Sequence, residues 1–299
     1  MSCFKTLNFF NMTFDKPIIY IIGPTAIGKS SFSISLAQHL QTDIISADSY
    51  QVYQGMDIGT AKVSLAERLL VPHHLIDTHS PTQSYNVTDF IRYCNNHLSN
   101  HKQTIICGGN GLFLRSFLYR YDFPDAKSNP AIRQALIDDY DNGLKQSLWD
   151  KLHSIDPKTA ANIHINNKHQ LIRALEIFEI TQKPPSTIKQ HHSTPRDDVM
   201  VIGLTCDRNV VIQRIDDRVD AMIKQGLIDE VKHLLEAGYS SLLPALNCIG
   251  YKETIRYLNG SITRDEMIKL IKIHTHQFSK RQMTWFKKID NVFWNILYK

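Results

Sequence analysis

The chain is short of several features that would mark large protein classes. No apolar run approaches the ~20 residues that cross a bilayer; the longest strong one, Ile18–Ile22, has the length of a strand. The opening stretch MSCFKTLNFFNMTFDKP carries one early lysine, and Asn8 and Asn11 interrupt its apolar clusters, so it does not read as a secretory signal. Residues 1–16 are expected to be an extension before the first strand, with Met12 an alternative start. The protein is expected in the cytoplasm, with no membrane partner. Five cysteines, Cys3, Cys94, Cys107, Cys206 and Cys248, lie far apart with no CxxC pair, which argues against a disulfide framework or a zinc finger. The fourteen histidines form no evident ligand set by spacing. His73 and His74 are adjacent and project differently, and His274 and His276 are two apart on an expected helix and do not share a face. No histidine metal site is expected from them.

What is present is ordinary for a globular enzyme: 299 residues, 42% of them hydrophobic and 21% charged. The net charge of +5 is unevenly placed. Beyond residue 266, Lys269, Lys272, Lys280, Arg281, Lys287, Lys288 and Lys299 face Asp290 as the only acid, which suggests a polyanionic partner or a solvated helix face.

Short buried strands are expected at 18–22, 43–47, 104–107, 199–205 and 291–297, separated by helical patterns. That alternation predicts an α/β fold, a P-loop-type parallel sheet with helices on both faces. Between the third and fourth strands, residues 125–197 turn helical and polar and close with the loop QKPPSTIKQHHSTPR. This is expected to be a helical insertion. The core is then 17–124 together with 198–299.

Gly23, Gly28, Lys29 and Ser30 fit G-x-x-x-x-G-K-[ST], with a strand before and a helix after. Residues Gly23, Pro24, Thr25, Ala26, Ile27, Gly28, Lys29 and Ser30 are therefore expected to hold a pyrophosphate. Inward N–H groups, the helix N-terminus and the Lys29 ammonium form the cage, and the Ser30 hydroxyl is placed for Mg²⁺. A nucleotide hydrolase usually adds an acid at the end of a neighbouring strand. Here the third strand runs into Gly108 and Gly109 instead. The pyrophosphate is thus open to being a leaving group rather than an energy source. Asp48, after the second strand, should face the same crevice as Lys29. It can serve as a Mg²⁺ partner, a helix cap or a general base.

GPTAIGKS, DSYQVYQGMDIGTAK, PHHLID, GGNGLF, IRALEI, GYKE and SKRQMTWF occur in an order that resembles the tRNA dimethylallyltransferases, over about residues 18–286. The resemblance implies transfer of a dimethylallyl group from dimethylallyl diphosphate to N6 of the adenosine on the 3′ side of the anticodon, in tRNAs that read codons beginning with U. It implies a magnesium-dependent monomer whose partner is the tRNA anticodon stem-loop. It assigns Asp48 as base and Arg218 as a diphosphate-side arginine. Asn110 stands where the family usually has Thr or Ser, near the donor diphosphate and the entering base. RNA contacts are implied at Asp48, Ser49, Tyr50, Gln51, Asn110 and Arg133, at His169, Gln170, Leu171, Ile172 and Arg173, and at Asn247, Cys248, Ile249, Gly250, Tyr251 and Lys252. Of these, Leu171 has the helical spacing of a core residue. His73–His74 is expected to shape the crevice. A nucleotide or metabolite kinase, an adenylate prenyltransferase and a plain RNA-binding module are the rival readings.

Overall fold

The computed structural model describes residues 14–121, 123, 129–188, 192 and 194–297. Most of the N-terminal extension, with Cys3 and Met12, lies outside the described residues, as do residue 125 and Lys299. The chain divides into two compact units, one made of Met1–Leu118 with Arg196–Lys299, the other of Tyr119–Pro195.

The larger unit is built on a six-stranded parallel sheet: β1 (Ile18–Ile22), β2 (Ile44–Ser46), β3 (His73–His74), β4 (Thr104–Cys107), β5 (Val199–Thr205) and β6 (Val292–Ile296), in the order β3-β2-β4-β1-β5-β6. Every residue of β1 is buried, so both faces of the sheet are covered there. That is why the inner strands read as continuous apolar runs rather than alternating ones. β3 was not expected; it is two half-buried histidines at the sheet edge and carries no apolar signal. The four described cysteines are free thiols. No helix among the described residues is long and apolar enough to cross a membrane.

Topology locates the crevice. From β1 the chain passes over β4's place to β2, whereas from β4 it crosses to β5 on the other side. The adjacent carboxyl ends of β1 and β4 therefore bound a switch point, where open α/β sheets bind ligands. The loops leaving those two ends are Gly23–Gly28 and Gly108–Asn110. Two helices complete the surroundings. Arg208–Gln225 is capped by Asp207, and Arg264–Phe286 starts in a capping box between Thr263 and Glu266.

The smaller unit is helical, with its own core of Leu136, Leu148, Leu152, Leu171, Ile172 and Leu175. Glu176 is fully buried in it. Its carboxylate accepts from Asn129 N at 3.1 Å, Arg133 Nη2 at 2.6 Å and Arg173 Nη1 at 2.7 Å. A buried carboxylate persists only when its charge and lone pairs are met in this way.

Candidate active site

The phosphate loop has the backbone its sequence requires. Gly28 adopts φ +104°, and at Gly23 (φ +151°) a Cβ would stand 2.5 Å from the Leu204 carbonyl oxygen of β5. Only glycine meets both demands. The helix Lys29–Leu40 begins with no side-chain cap, leaving its N-terminal N–H groups open to an anion. Lys29 Nζ donates to the carbonyls of Gly23 and Pro24, both at 2.9 Å, and so is folded back onto the loop. Burial lowers its pKa to about 8; Cys107 opposes this and Arg218 adds to it.

Two cavities meet at this loop. The smaller, about 210 Å³, is polar and is lined by Gly28, Lys29, Ser30, Arg214 and Arg218 among others. The larger, about 480 Å³, has apolar walls from Leu112, Val219, Met222, Ile271, Phe278 and Trp285. Thr25, Asp48, Gly109, Arg218 and Gln282 line both. Gly23, Pro24 and Ile27 line neither: they are buried behind the wall and shape the loop instead of facing a ligand.

Asp48 stands at the junction. Its Oδ1 accepts from Tyr50 N at 2.8 Å and Gln51 N at 3.3 Å, so it does cap the following turn. Burial raises its pKa, against the pull of those two N–H groups and of Lys29. A carboxylate short of solvation, with one oxygen held by the backbone and no bond to the other among the described residues, is poised to take a proton. The Ser30 hydroxyl lines the same small cavity. One hydroxyl suits Mg²⁺, which keeps several waters and leans on substrate phosphates for the rest of its shell. Ser30 therefore fits the ion as its holder, and Asp48 is left to act as base.

Arg218 Nη1 reaches Thr25 Oγ1 at 3.4 Å, and burial lowers its pKa. Arg214, four residues earlier on the same helix face, donates from Nε to the Ala26 carbonyl at 2.8 Å. Asn110 caps the helix Gly111–Leu118 with Oδ1, accepting from Leu112 N at 3.0 Å and Phe113 N at 3.2 Å, while Nδ2 lies 3.4 Å from Ser49 Oγ. The amide donor at this position is thus turned toward Ser49, and both residues line the larger cavity.

Sequence reasoning missed Gln282. Thr25 N donates to its Oε1 at 2.8 Å, and its Nε2 donates to Gly109 O at 3.0 Å. One side chain ties the phosphate loop to the loop after β4, and a Cβ on Gly109 would overlap it. Gln282 lies inside SKRQMTWF, where an uncharged amide carries no local signal of a long-range partner. Arg214 was signalled by its four-residue spacing from Arg218. Glu230 had no local signal. It gathers Asp57 N at 2.9 Å, Ile58 N at 2.7 Å and Gly59 N at 3.2 Å, together with the Tyr251 hydroxyl at 2.5 Å.

The implied RNA contacts divide. His169, Gln170 and Asn247 are exposed; Ser49, Tyr50, Ile249 and Lys252 are half-buried. Leu171 and Ile172 are core residues of the smaller unit and present no side chain outward. Tyr251 is fully buried on Glu230 rather than open for base stacking. Cys248 and Gly250 are buried too, although their segment lines the larger cavity. The Gln51 amide is spent inside the fold, accepting from Ser46 Oγ at 3.0 Å and donating to Thr60 O and Ala61 O at 3.3 Å. Arg133 and Arg173 are engaged by Glu176, so their outward role is limited by that pairing. His73 lines the small cavity, but His74, one residue on, points to the other side of the sheet edge. Lys280 and Arg281 are exposed, and Arg281 lines the larger cavity.

Comparison with known proteins agrees in kind. Residues 51–289 match the family described as IPP transferase, and residues 17–78 match isopentenyl transferase. The chain is 44% identical over 283 residues to a tRNA dimethylallyltransferase of Carboxydothermus hydrogenoformans, covering 93% of this chain and 91% of that one. It is 42% identical over 284 residues to the tRNA dimethylallyltransferase of Alkaliphilus oremlandii, with the same coverage. The structure of a tRNA isopentenylpyrophosphate transferase from Bacillus halodurans superposes with a TM-score of 0.68 at 38% identity, over 95% of this chain and 90% of that one. A eukaryotic dimethylallyltransferase, captured in crystals acting on tRNA, gives 0.81 at 29% identity, over 95% and 74%.

Proposed function

The chain belongs to the IPP transferase family of tRNA dimethylallyltransferases, and from that premise we propose that it moves a dimethylallyl group from dimethylallyl diphosphate to N6 of the adenosine beside the anticodon, on its 3′ side, releasing diphosphate. The observation that carries this reading is the pair of joined cavities. A polar recess at Lys29 opens past Asp48 and Arg218 into a larger space with apolar walls. A donor with a doubly charged head and a five-carbon tail needs that sequence of surroundings, with room left for a purine.

In the reaction the C1–O bond of the donor breaks as N6 bonds to C1. Negative charge grows on the leaving diphosphate, where Lys29, Arg218 and the uncapped helix N-terminus stabilise it. The N6 proton passes to Asp48, because the adenine amine is a weak nucleophile until that proton leaves. Bound Mg²⁺, held by Ser30, would supply further charge neutralisation on the diphosphate. Apolar walls around the tail keep water from capturing the allyl cation.

The target base must leave its stack to reach Asp48, so the RNA is bound with that base flipped. Exposed Lys280 and Arg281 meet phosphates, which position the loop without reading its sequence. The substrates are tRNAs reading codons that begin with U, and the enzyme acts as a cytoplasmic monomer. The test supplies labelled dimethylallyl diphosphate with either an anticodon stem-loop or AMP. Label in the stem-loop is expected. Label in AMP alone overturns the RNA assignment, and transfer of the ATP γ-phosphate to either acceptor overturns the reaction class.

A further inference from the structure

Asp43 and Asp48 bracket β2, one at each end. Asp48 serves the crevice; Asp43 sits at the amino-terminal end of the strand among imidazoles. Its Oδ2 is 2.8 Å from His74 Nε2 and 2.8 Å from His97 Nε2, and His101 Nε2 is 3.9 Å away. The ligand-capable atoms of Asp43, His74 and His97 all lie within 4.8 Å of one another. Asp43 is contributed by the start of β2, His74 by β3, His97 by the helix Val87–Leu98, and His101 by the turn after that helix. None of the four lines either catalytic cavity.

Two features separate this cluster from an ordinary carboxylate–imidazole network. Asp43 Oδ1 and His97 Nε2 are buried without a well-formed hydrogen bond, although His97 Nε2 is close to the other carboxylate oxygen. Such orphaned polar atoms are costly unless something else meets them. In addition, the outer nitrogens of His74 and His101 are already held. The Tyr93 hydroxyl is 2.9 Å from His74 Nδ1, and His101 Nδ1 lies 2.9 Å from the His97 carbonyl, to which it donates. That donation leaves His101 Nε2 with its lone pair toward Asp43. Fixing the far nitrogen of each imidazole is how proteins orient histidine ligands.

We propose that Asp43, His74 and His97 form a structural site for a divalent ion of the zinc class, with the His101 ring stacked on His97 beside it. Imidazole nitrogens with one carboxylate favour a borderline transition ion over Mg²⁺ or Ca²⁺, which prefer all-oxygen shells. Ligand bonds of ~2.1 Å place tetrahedral ligands roughly 3.4 Å apart. The two 2.8 Å contacts are shorter than that, so each widens by about half an ångström to admit the ion. Binding uses the tautomer of His74 and His97 with the proton on Nδ1 and the Nε2 lone pair on the ion, and His74 Nδ1 then donates to the Tyr93 hydroxyl. Asp43 and His101 line an open surface cavity of about 720 Å³, which gives the ion access. With three protein ligands and water completing the shell, the ion acts as a clamp between the sheet edge and the end of the helix Val87–Leu98.

The test titrates chelator-stripped, tag-free full-length protein with Co²⁺ and follows the visible d–d absorption of a four-coordinate ion. One equivalent is expected to produce the bands, Zn²⁺ to bleach them, and His97→Ala to abolish them. Zn²⁺ should raise the thermal midpoint of the native protein and leave that of His97→Ala unmoved. Absence of the bands in the native protein, or bands undiminished in His97→Ala, reduces the cluster to a hydrogen-bonded network and overturns the proposal. Should His97→Ala fail to fold, His74→Ala decides: binding at least tenfold weaker supports the site, and unchanged binding overturns it.

Discussion

Asp48 can be split into its two roles by two substitutions. Asp48→Asn keeps an oxygen to accept from Tyr50 N and Gln51 N, but it has no basic carboxylate. Asp48→Ala loses both. Removing a general base lowers turnover by ~10²–10⁴, about 3–5 kcal/mol in the barrier. Removing the two backbone contacts, one of them long, costs about 1 kcal/mol of stability and lowers Tm by ~2–4 °C. The Asn variant avoids that loss and gains something besides. Burial raises the pKa of Asp48 in the fold, so its favourable contribution is complete below the unfolded value, near 3.8, and is lost as pH rises through the folded value. At neutral pH the native protein therefore holds a carboxylate it would rather protonate, and Asp48→Asn should melt at or slightly above it. Steady-state prenyl transfer, read together with scanning calorimetry, separates the effects. In the native enzyme kcat/KM should fall on the acid side with a midpoint above 3.8, and that limb should disappear in the Asn variant. Full turnover by Asp48→Asn, or an acid limb that persists unchanged, would refute the assignment. If the carboxylate mainly held Mg²⁺, the Asn variant would instead regain rate at raised Mg²⁺.

Three further outcomes follow from neighbouring residues. Burial holds the Lys29 pKa down to about 8, and a bound diphosphate raises it, so affinity for inorganic diphosphate should weaken as pH rises beyond about 8; isothermal titration that shows no such decline argues against the cage. Gln282→Ala removes both ends of the strap between Thr25 and Gly109, and kcat/KM should drop ~10–100-fold, partly spared by cavity water, with Gln282→Glu keeping the Thr25 contact but not the other; an effect within twofold would show that the strap is unimportant. Glu230→Ala leaves three backbone N–H groups and the Tyr251 hydroxyl without an acceptor, and should lose about 2–3 kcal/mol and several degrees of Tm, with a raised donor KM because Gly59, Thr60 and Ala61 line the larger cavity; an unchanged melting curve contradicts this.

Much of the architecture was legible because its signals are local. Five strands announced themselves as short apolar runs, and the phosphate loop as four residues at fixed spacing between a strand and a helix. β3 escaped, since two edge histidines pair through their backbone and leave no trace in side-chain character. Among the implied RNA contacts, helical spacing marked Leu171 as a core residue, but the sequence did not separate Ile172, which fills the same core, from His169 and Gln170 just before them on that helix, which are exposed. Helical period orders residues around an axis, but which arc faces the core depends on the helices packed against it.

From the sequence by itself came the parallel α/β sheet, the anion-binding turn with Lys29 and Ser30, and an acid after β2 facing the same end. Each depends on residues within a few turns of one another, whose backbone preferences and side-chain chemistry are set before the chain closes on itself. Tertiary structure alone decided that Gln282 joins Thr25 across 257 positions, that Glu230 anchors the Asp57–Gly59 backbone, and that Asp43 meets His74, His97 and His101. Those partners are chosen by strand order and helix packing, and no spacing along the chain encodes them.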